Sequence, residues 1–321
     1  MRTLLLIDAN SLIHRAYHAL PPLTAPDGRP SQALYGLSSI LIKLRREDGL
    51  DYAAALFDRP EPTFRKKEYA EYKAQRPKAA DELISQIIEA HNLFAAFGIK
   101  TFERPGFEAD DLIATLAEKF KKVPDTKIVI LTGDMDTLQL VDDGTVMVRG
   151  LKRGITDTVL YDTAAVRERY GLNPDQLIDY KALVGDPSDN IKGVPGVGPK
   201  TATELLQKFG TLEKLYENLA DLPQSGTGGK LKAFKEEARQ AKRLVTLVRD
   251  ADVPVGGIDD IKVNFEPGRI SAYFKNLGFE TLIARLLAQD TGGQARFDGS
   301  KTPTAPPQNG EKKKQAQGKM F

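Results

Sequence analysis

The chain has 321 residues, 41% hydrophobic and 28% charged, an ordinary globular composition long enough for two modest domains. No apolar run approaches the ~20 residues of a membrane helix and no secretory signal opens the chain, so no membrane association and a cytoplasmic location are expected. With no cysteine, disulfides and thiolate chemistry are excluded; with only His14, His18 and His91 and no HExxH pattern, a zinc site is disfavoured. The formal net charge of +2 does not signal nucleic acid by itself, which leaves the distribution of charge as the informative feature.

In chain order, the apolar run from Leu4 ends in Asp8, and a helical pattern follows from Ala33 to Arg46. A second apolar run, Ala53 to Phe57, ends in Asp58. Helical patterns then run from Asp81 to Phe97, with Gly98 as the cap, and from Glu108 to Lys122. A third apolar run from Ile128 leads through Thr132 and Gly133 to Asp134. Strands alternating with helices imply an α/β domain with a parallel sheet, and such sheets bind ligands beyond the carboxyl ends of their strands. All three aspartates are therefore expected on one edge.

From about Tyr161 the pattern turns helical: Thr163 to Tyr170, Pro174 to Val184, Pro199 to Phe209, Leu212 to Leu219, Lys230 to Arg249 and Ser271 to Leu287. The expected organisation is an α/β domain over residues 1–160, a helical domain over 161–290, and a tail over 291–321. Eight of the 31 tail residues are Gly or Pro and its net charge is +4, so disorder is expected there.

Further acids cluster around the strand-end aspartates: Glu108, Asp110 and Asp111; Asp134 and Asp136; Asp186 and Asp189. Asp142 and Asp143 suit a turn. Each patch alone could cap a helix or offset its dipole. Nine acids on one edge would repel one another severely without cations. Oxygen ligands without Cys or paired His favour two magnesium or manganese ions over zinc. Such a pair can drive an in-line phosphodiester displacement with no histidine base.

Residues 59–78 carry seven Lys or Arg against three Glu, interleaved with Phe64, Tyr69 and Tyr72. Tyr69, Tyr72, Lys73 and Arg76 fall at helical spacing, and one basic-aromatic face would suit an unpaired strand, with rings on bases and cations on phosphates. The run Gly193 to Ala202 is not a P-loop, because Pro199 stands where that motif needs glycine. It fits a hairpin between helices, in which Gly196 and Gly198 allow close backbone approach and Pro199, Lys200 and Thr201 open a helix whose N–H groups suit an anion.

The runs ending in Asp8 and Asp58, Phe107 to Asp111, Thr132 to Asp136 and Gly185 to Asn190 resemble the successive motifs of the 5′-3′ exonuclease and flap endonuclease family. The 5′-nuclease domain at the front of bacterial DNA polymerase I is the member most resembled, over about residues 1–287. The resemblance implies a PIN-like flap-nuclease fold with a helix-hairpin-helix region. It further implies a metal site of Asp8, Asp58, Glu108, Asp110 and Asp111, with Asp134 between the ions and Asp136, Asp186 and Asp189 on the second. Relatives lacking the later acids are suspected of binding DNA without normal cleavage; this chain keeps them all, so activity is expected over a non-catalytic branched-DNA binder.

By the same resemblance, residues 59–80 form a helical arch, Lys73 and Arg76 steady the scissile phosphate, and Arg15 adds charge. The hairpin grips duplex backbone, with a potassium ion on its carbonyls, so the substrate is a monomeric enzyme's duplex with a 5′ single strand, RNA primers on DNA included. Gln317, Met320 and Phe321 resemble peptides that dock on bacterial sliding clamps. With no polymerase motif after Thr291, a free-standing enzyme is expected. The sequence does not rank exonuclease against flap cutting.

Overall fold

The computed structural model describes residues 2–223 and 226–290. The N-terminal half runs β1 (Arg2–Asp8), α1 (Ala9–Ala19), α2 (Gln32–Asp48), β2 (Tyr52–Phe57), α3 (Phe64–Glu68), α4 (Asp81–Phe97), β3 (Lys100–Glu103), α5 (Ala109–Phe120), β4 (Thr126–Thr132), β5 (Val146–Leu151) and β6 (Thr158–Tyr161). These six strands form one sheet in the order β3-β2-β1-β4-β5-β6. β1 to β5 are parallel and β6 is antiparallel to β5. The chain builds outward from β1 on one side, then crosses back to lay β4 on the other. A switch of this kind opens a crevice at the carboxyl ends of the two central strands.

The central strands are apolar throughout because both faces are covered. Leu5, Ile7, Ala53, Ala55, Val129 and Leu131 face one core with α1, α2 and α4. Their alternate neighbours Leu4, Leu6, Ala54, Leu56, Ile128 and Ile130 face a second core with α5. This is the two-residue period of a strand applied to both faces. Gly98 closes α4 in the left-handed conformation (φ 73°) with its N–H on Phe94 and Ala95 carbonyls. A Cβ there would also lie 2.0 Å from the Asn264 carbonyl oxygen, so only glycine fits.

The second half runs α6 (Thr163–Tyr170), α7 (Leu177–Val184), β7 (Gly185–Asp186), β8 (Ile191–Lys192), α8 (Pro199–Phe209), α9 (Leu212–Glu217), α10 (Thr227–Ala233), α11 (Lys235–Val245), α12 (Pro267–Asn276) and α13 (Glu280–Asp290). A third core gathers Leu183, Leu205, Leu206, Leu215 and Leu244 from α7, α8, α9 and α11, with Val194 from the loop before α8.

Four expectations change. The helix expected from Lys230 to Arg249 is two, broken at Phe234, and that from Ser271 to Leu287 is two, broken at Gly278 with φ 70°. The segment after α11 packs against the sheet as well. Ile270 and Phe274 of α12, Phe279 of the link and Leu282 and Leu286 of α13 join the first sheet core, and Leu247, Val255 and Ile261 join the second. Periodicity shows that a helix has an apolar face but not which partner covers it. The arch region is helical only over α3; residues 70–75 are turns, with Lys73 at φ 51°.

Phe274, fully buried in the sheet core, tests this reassignment. Phe274→Ala is expected to destabilise the protein by about 3–5 kcal/mol in urea unfolding. A loss under about 1 kcal/mol would make α12 an appendage.

Candidate active site

The site grows from the ends of β1 and β4. Asp8, the last residue of β1, also caps α1, accepting the Ser11 N–H at 3.0 Å. Its other oxygen accepts the Thr132 hydroxyl at 2.6 Å, and the same hydroxyl accepts the Asp134 N–H at 2.9 Å. Thr132 therefore fixes Asp8 and Asp134 relative to each other across adjacent strands. Ser11 ties the same turn from the other side, its hydroxyl accepting the Gly133 N–H at 2.9 Å. Asp58 follows β2; its N–H donates to Asn10 at 3.1 Å and its carboxylate accepts the Ala109 N–H at 2.7 Å. That last bond sets Asp58 against the start of α5, where Glu108 caps the helix and Asp110 lies in its first turn. The positive end of the helix dipole favours this negative charge.

These acids line a cleft of about 440 Å³, walled by His14, Arg15 and His18 of α1 and by Lys73 and Arg76. Beside it a second group forms: ligand oxygens of Asp136, Asp186 and Asp189 lie within 4.8 Å of one another. Asp136 comes from the turn after β4, while Asp186 and Asp189 come from the short β7–β8 hairpin.

Eight of the nine expected acids thus gather in two adjoining groups. Asp111 does not. It is fully buried and faces away, both oxygens bound to Arg65 at 2.7 Å. The Glu108 and Val248 N–H groups also donate to it. A carboxylate so saturated has no lone pair for a metal, and Asp111 leaves the ligand set. Its place three residues after Glu108 lets the Asp111 side chain accept the Glu108 N–H.

Tyr72 is also reassigned. Its ring is buried in the third core, and its hydroxyl bonds Glu108 at 2.8 Å and Asp189 at 3.0 Å, so it does not stack on a base. Tyr69 is half-buried, with its hydroxyl on Glu71. Lys73 and Arg76 stand at the site as expected: Lys73 Nζ is 2.7 Å from Glu108, and Arg76 is 2.6 Å from Asp189. Arg15 donates to the Lys152 and Gly154 carbonyls at the cleft rim. Gly196 takes φ 79° in the hairpin, and Gly198 precedes α8 with no side-chain cap, leaving first-turn N–H groups beside exposed Lys200 and half-buried Thr201. Gln317, Met320 and Phe321 lie outside the described residues.

Sequence reasoning missed Thr132, Asn10 and Ser11, which position the acids, and Lys181, which bonds Asp136 and Asp186. Asp8 followed three residues later by a Ser N–H is an ordinary helix-start pattern and could have revealed α1. Nothing in a lone lysine marks Lys181.

The family model for the 5′-3′ exonuclease N-terminal resolvase-like domain matches residues 3–171, and that for the 5′-3′ exonuclease C-terminal SAM fold matches residues 172–266. The chain belongs to the 5′-3′ exonuclease family. DNA polymerase I of Bacillus subtilis is 40% identical over 287 residues, 89% of this chain and 32% of that protein. The 5′-3′ exonuclease of Aquifex aeolicus is 37% identical over 263 residues, 82% of this chain and 87% of that one. The chain therefore spans about a third of the length of the polymerases it matches. Among solved structures, zinc-bound bacteriophage T5 5′-exonuclease superposes with a TM-score of 0.65 at 22% identity, covering 90% of this chain and 98% of that one. The catalytic core of Rad2 with DNA substrate gives 0.56 at 18%, covering 90% and 92%. The fold is that of the flap nucleases: a PIN-like parallel sheet joined to a SAM-like helical region. No helix among the described residues is long and apolar enough to cross a membrane.

In this exonuclease-family site the electrostatics suit cations. Burial, then the nearby charges of Asp58 and Asp134, push Asp8 up to about 7. Enclosure and the charges of Asp8, Asp134 and Asp58 hold Asp110 well above the usual carboxylate range. Asp136 is raised to about 7, by burial first and then by Asp134. The Asp110 Oδ1 oxygen is buried without a hydrogen-bond partner. A buried orphan oxygen among crowded carboxylates fits a divalent ion, as does the all-oxygen donor set.

Two predictions follow from these contacts. Arg65→Met strands the buried Asp111 charge and is expected to cost about 3–5 kcal/mol in urea unfolding. Lys67→Met, exposed on the same short helix, should stay within about 0.5 kcal/mol. Second, Asp8 and Asp136 bind protons more tightly folded than unfolded, so their contribution to stability is present below the unfolded value of 3.8 and is lost as pH rises through about 7. Metal-free protein should therefore lose this contribution on ionisation, and manganese should raise Tm more at pH 8 than at pH 6. Calorimetry at the two pH values checks the sign.

Proposed function

We propose that the chain is a structure-selective 5′-3′ exonuclease and 5′-flap endonuclease, hydrolysing DNA phosphodiesters with two magnesium or manganese ions. The observation that carries this reading is the pair of adjoining carboxylate groups at the sheet switch, with Lys73 and Arg76 reaching over them.

Asp8, Asp58, Glu108 and Asp110 would hold one ion and Asp136, Asp186 and Asp189 the other, with Asp134 between them. Such a pair supplies a hydroxide nucleophile at neutral pH and charge stabilisation at the leaving oxygen. The protein's own groups do the rest. Lys73 and Arg76, now on Glu108 and Asp189, would turn to the scissile phosphate, and Arg15 adds charge on the α1 wall. The N–H groups opening α8, with Lys200 and Thr201, would hold duplex backbone without reading bases. A potassium ion on the hairpin carbonyls belongs to the same reading. The implied substrate is duplex DNA with a 5′ single strand, including RNA primers on DNA, as in replication and repair. The enzyme would act as a monomer in the cytoplasm, with Gln317, Met320 and Phe321 tethering it to a sliding clamp.

Cleavage of a 5′-labelled flap duplex in magnesium tests the reading. Wild type should release short 5′ products, and Asp134→Asn should be slower by more than about 100-fold while still binding the duplex. Binding without cleavage by both proteins would make the chain a branched-DNA binder instead.

A further inference from the structure

The two carboxylate groups differ in one respect. Among the described residues, Asp8, Asp58, Asp110 and Asp134 make no ion pair, and in the first group only Glu108 does, with Lys73 at 2.7 Å and Arg65 at 3.5 Å. The second group is already neutralised from within. Lys181 of α7 bonds both Asp136 and Asp186, the latter at 2.7 Å. Arg76 takes one Asp189 oxygen at 2.6 Å and Tyr72 the other at 3.0 Å. Lys181 differs from the other two in origin. Lys73 and Arg76 come from the segment over the cleft, whereas Lys181 sits on the helix that leads into the β7–β8 hairpin, five residues before Asp186. Its side chain is one quarter exposed, so the ammonium can turn outward to solvent without crossing a packed core.

We propose that Lys181 is a positioning residue that stands in for the second metal ion. In the DNA-free protein its ammonium sits among the oxygens that would ligate that ion, holding Asp136 and Asp186 converged. Entry of the ion requires Lys181 to leave, because an ammonium and a divalent cation in contact with the same two carboxylates repel each other. A scissile phosphate supplies the negative charge that accepts the displaced ammonium. Loading is then ordered: the first group binds its ion in the free protein, and the second fills when DNA arrives. This proposal rests on the two-ion reading above.

Manganese binding to the full chain without DNA tests it, read by electron paramagnetic resonance of free manganese and by titration calorimetry at pH 8. Wild type should bind one ion, with a second at least about tenfold weaker. Lys181→Met should tighten the second ion by about tenfold or more and leave the first unchanged. Lys181→Arg, which keeps the charge, should behave as wild type. Lys181→Gln serves as the neutral variant if the Met form melts early. An unchanged or weaker second ion in the neutral variant overturns the proposal. A parallel titration of wild type with a flap duplex carrying a non-hydrolysable junction linkage should take up two ions. If it takes one, the two-ion reading itself has failed and the role of Lys181 goes with it; if it takes two while the neutral variant is unaltered without DNA, only the role of Lys181 has failed.

Discussion

Everything in the molecule is arranged around the mutual repulsion of Asp8, Asp58, Asp110 and Asp134. Two strand ends, a turn and the first turn of α5 carry these carboxylates into one cleft, where no internal cation pairs with them among the described residues. Like charges so placed oppose folding, and they add to the burial that chiefly pushes Asp8 and Asp110 upward. The chain tolerates this because hydrogen bonds hold three of the four, from Thr132 and Ser11 to Asp8, from Ala109 to Asp58 and from the Asp136 N–H to Asp134, while Asp110 lies in the first turn of α5, where the helix dipole favours its charge. The remaining compensation has to come from outside the chain. A site that conflicts with its own stability, while orphaning a buried oxygen, is built for a ligand of opposite charge.

Charge elsewhere in the same neighbourhood is handled in two other ways, and burial separates them. The Arg65 side chain is 2% exposed and its guanidinium also donates to the Leu244 and Thr246 carbonyls. That pair joins α3 and α5 to the end of α11 and has no freedom to exchange. Arg76, whose side chain is half exposed, makes a similarly short contact to Asp189 that water and a phosphate can compete for. The basic run of residues 59–78 is therefore not one surface. Its first buried cation is architectural, and its later ones are available to a substrate.

The central strands β1, β2 and β4 and the acid-bearing edge were legible because strands buried on both faces leave unbroken apolar runs that lead to aspartate. α4 with its Gly98 cap, α6 and α8 were readable to the residue. Legibility failed where a side chain's partner is distant in sequence. Asp111 meets Arg65 across 46 positions, and Tyr72 meets Asp189 across 117. The family resemblance put Asp111 on the metal side and local spacing put Tyr72 on a helical face, whereas long-range pairing decided both. The edge strands β3 and β6 escaped because each has only four residues, none of them buried, and β5 escaped with them. The placement of α12 and α13 on the sheet escaped for a different reason: an apolar helical face is the same signal whichever surface it covers.

One segment links the helical region to chemistry at the sheet. The turn from Gly185 to Lys192 supplies Asp186 and Asp189 to the second acid group, and the hairpin with Gly196 and Gly198 follows within a few residues. The Val194 N–H binds the Leu183 carbonyl at 2.8 Å, closing this stretch onto the end of α7, which also carries Lys181. Tyr72 then joins the segment over the cleft to the same unit, its ring in the helical core and its hydroxyl between Glu108 and Asp189. In the proposed reaction, duplex backbone held at the start of α8 would sit a fixed distance from the acids, because both belong to one short stretch of chain. Selectivity for a duplex junction over a sequence then needs no base contact. It follows from the length and rigidity of the connection between the hairpin and Asp189, which sets how far from the gripped duplex a phosphate must lie to be cut.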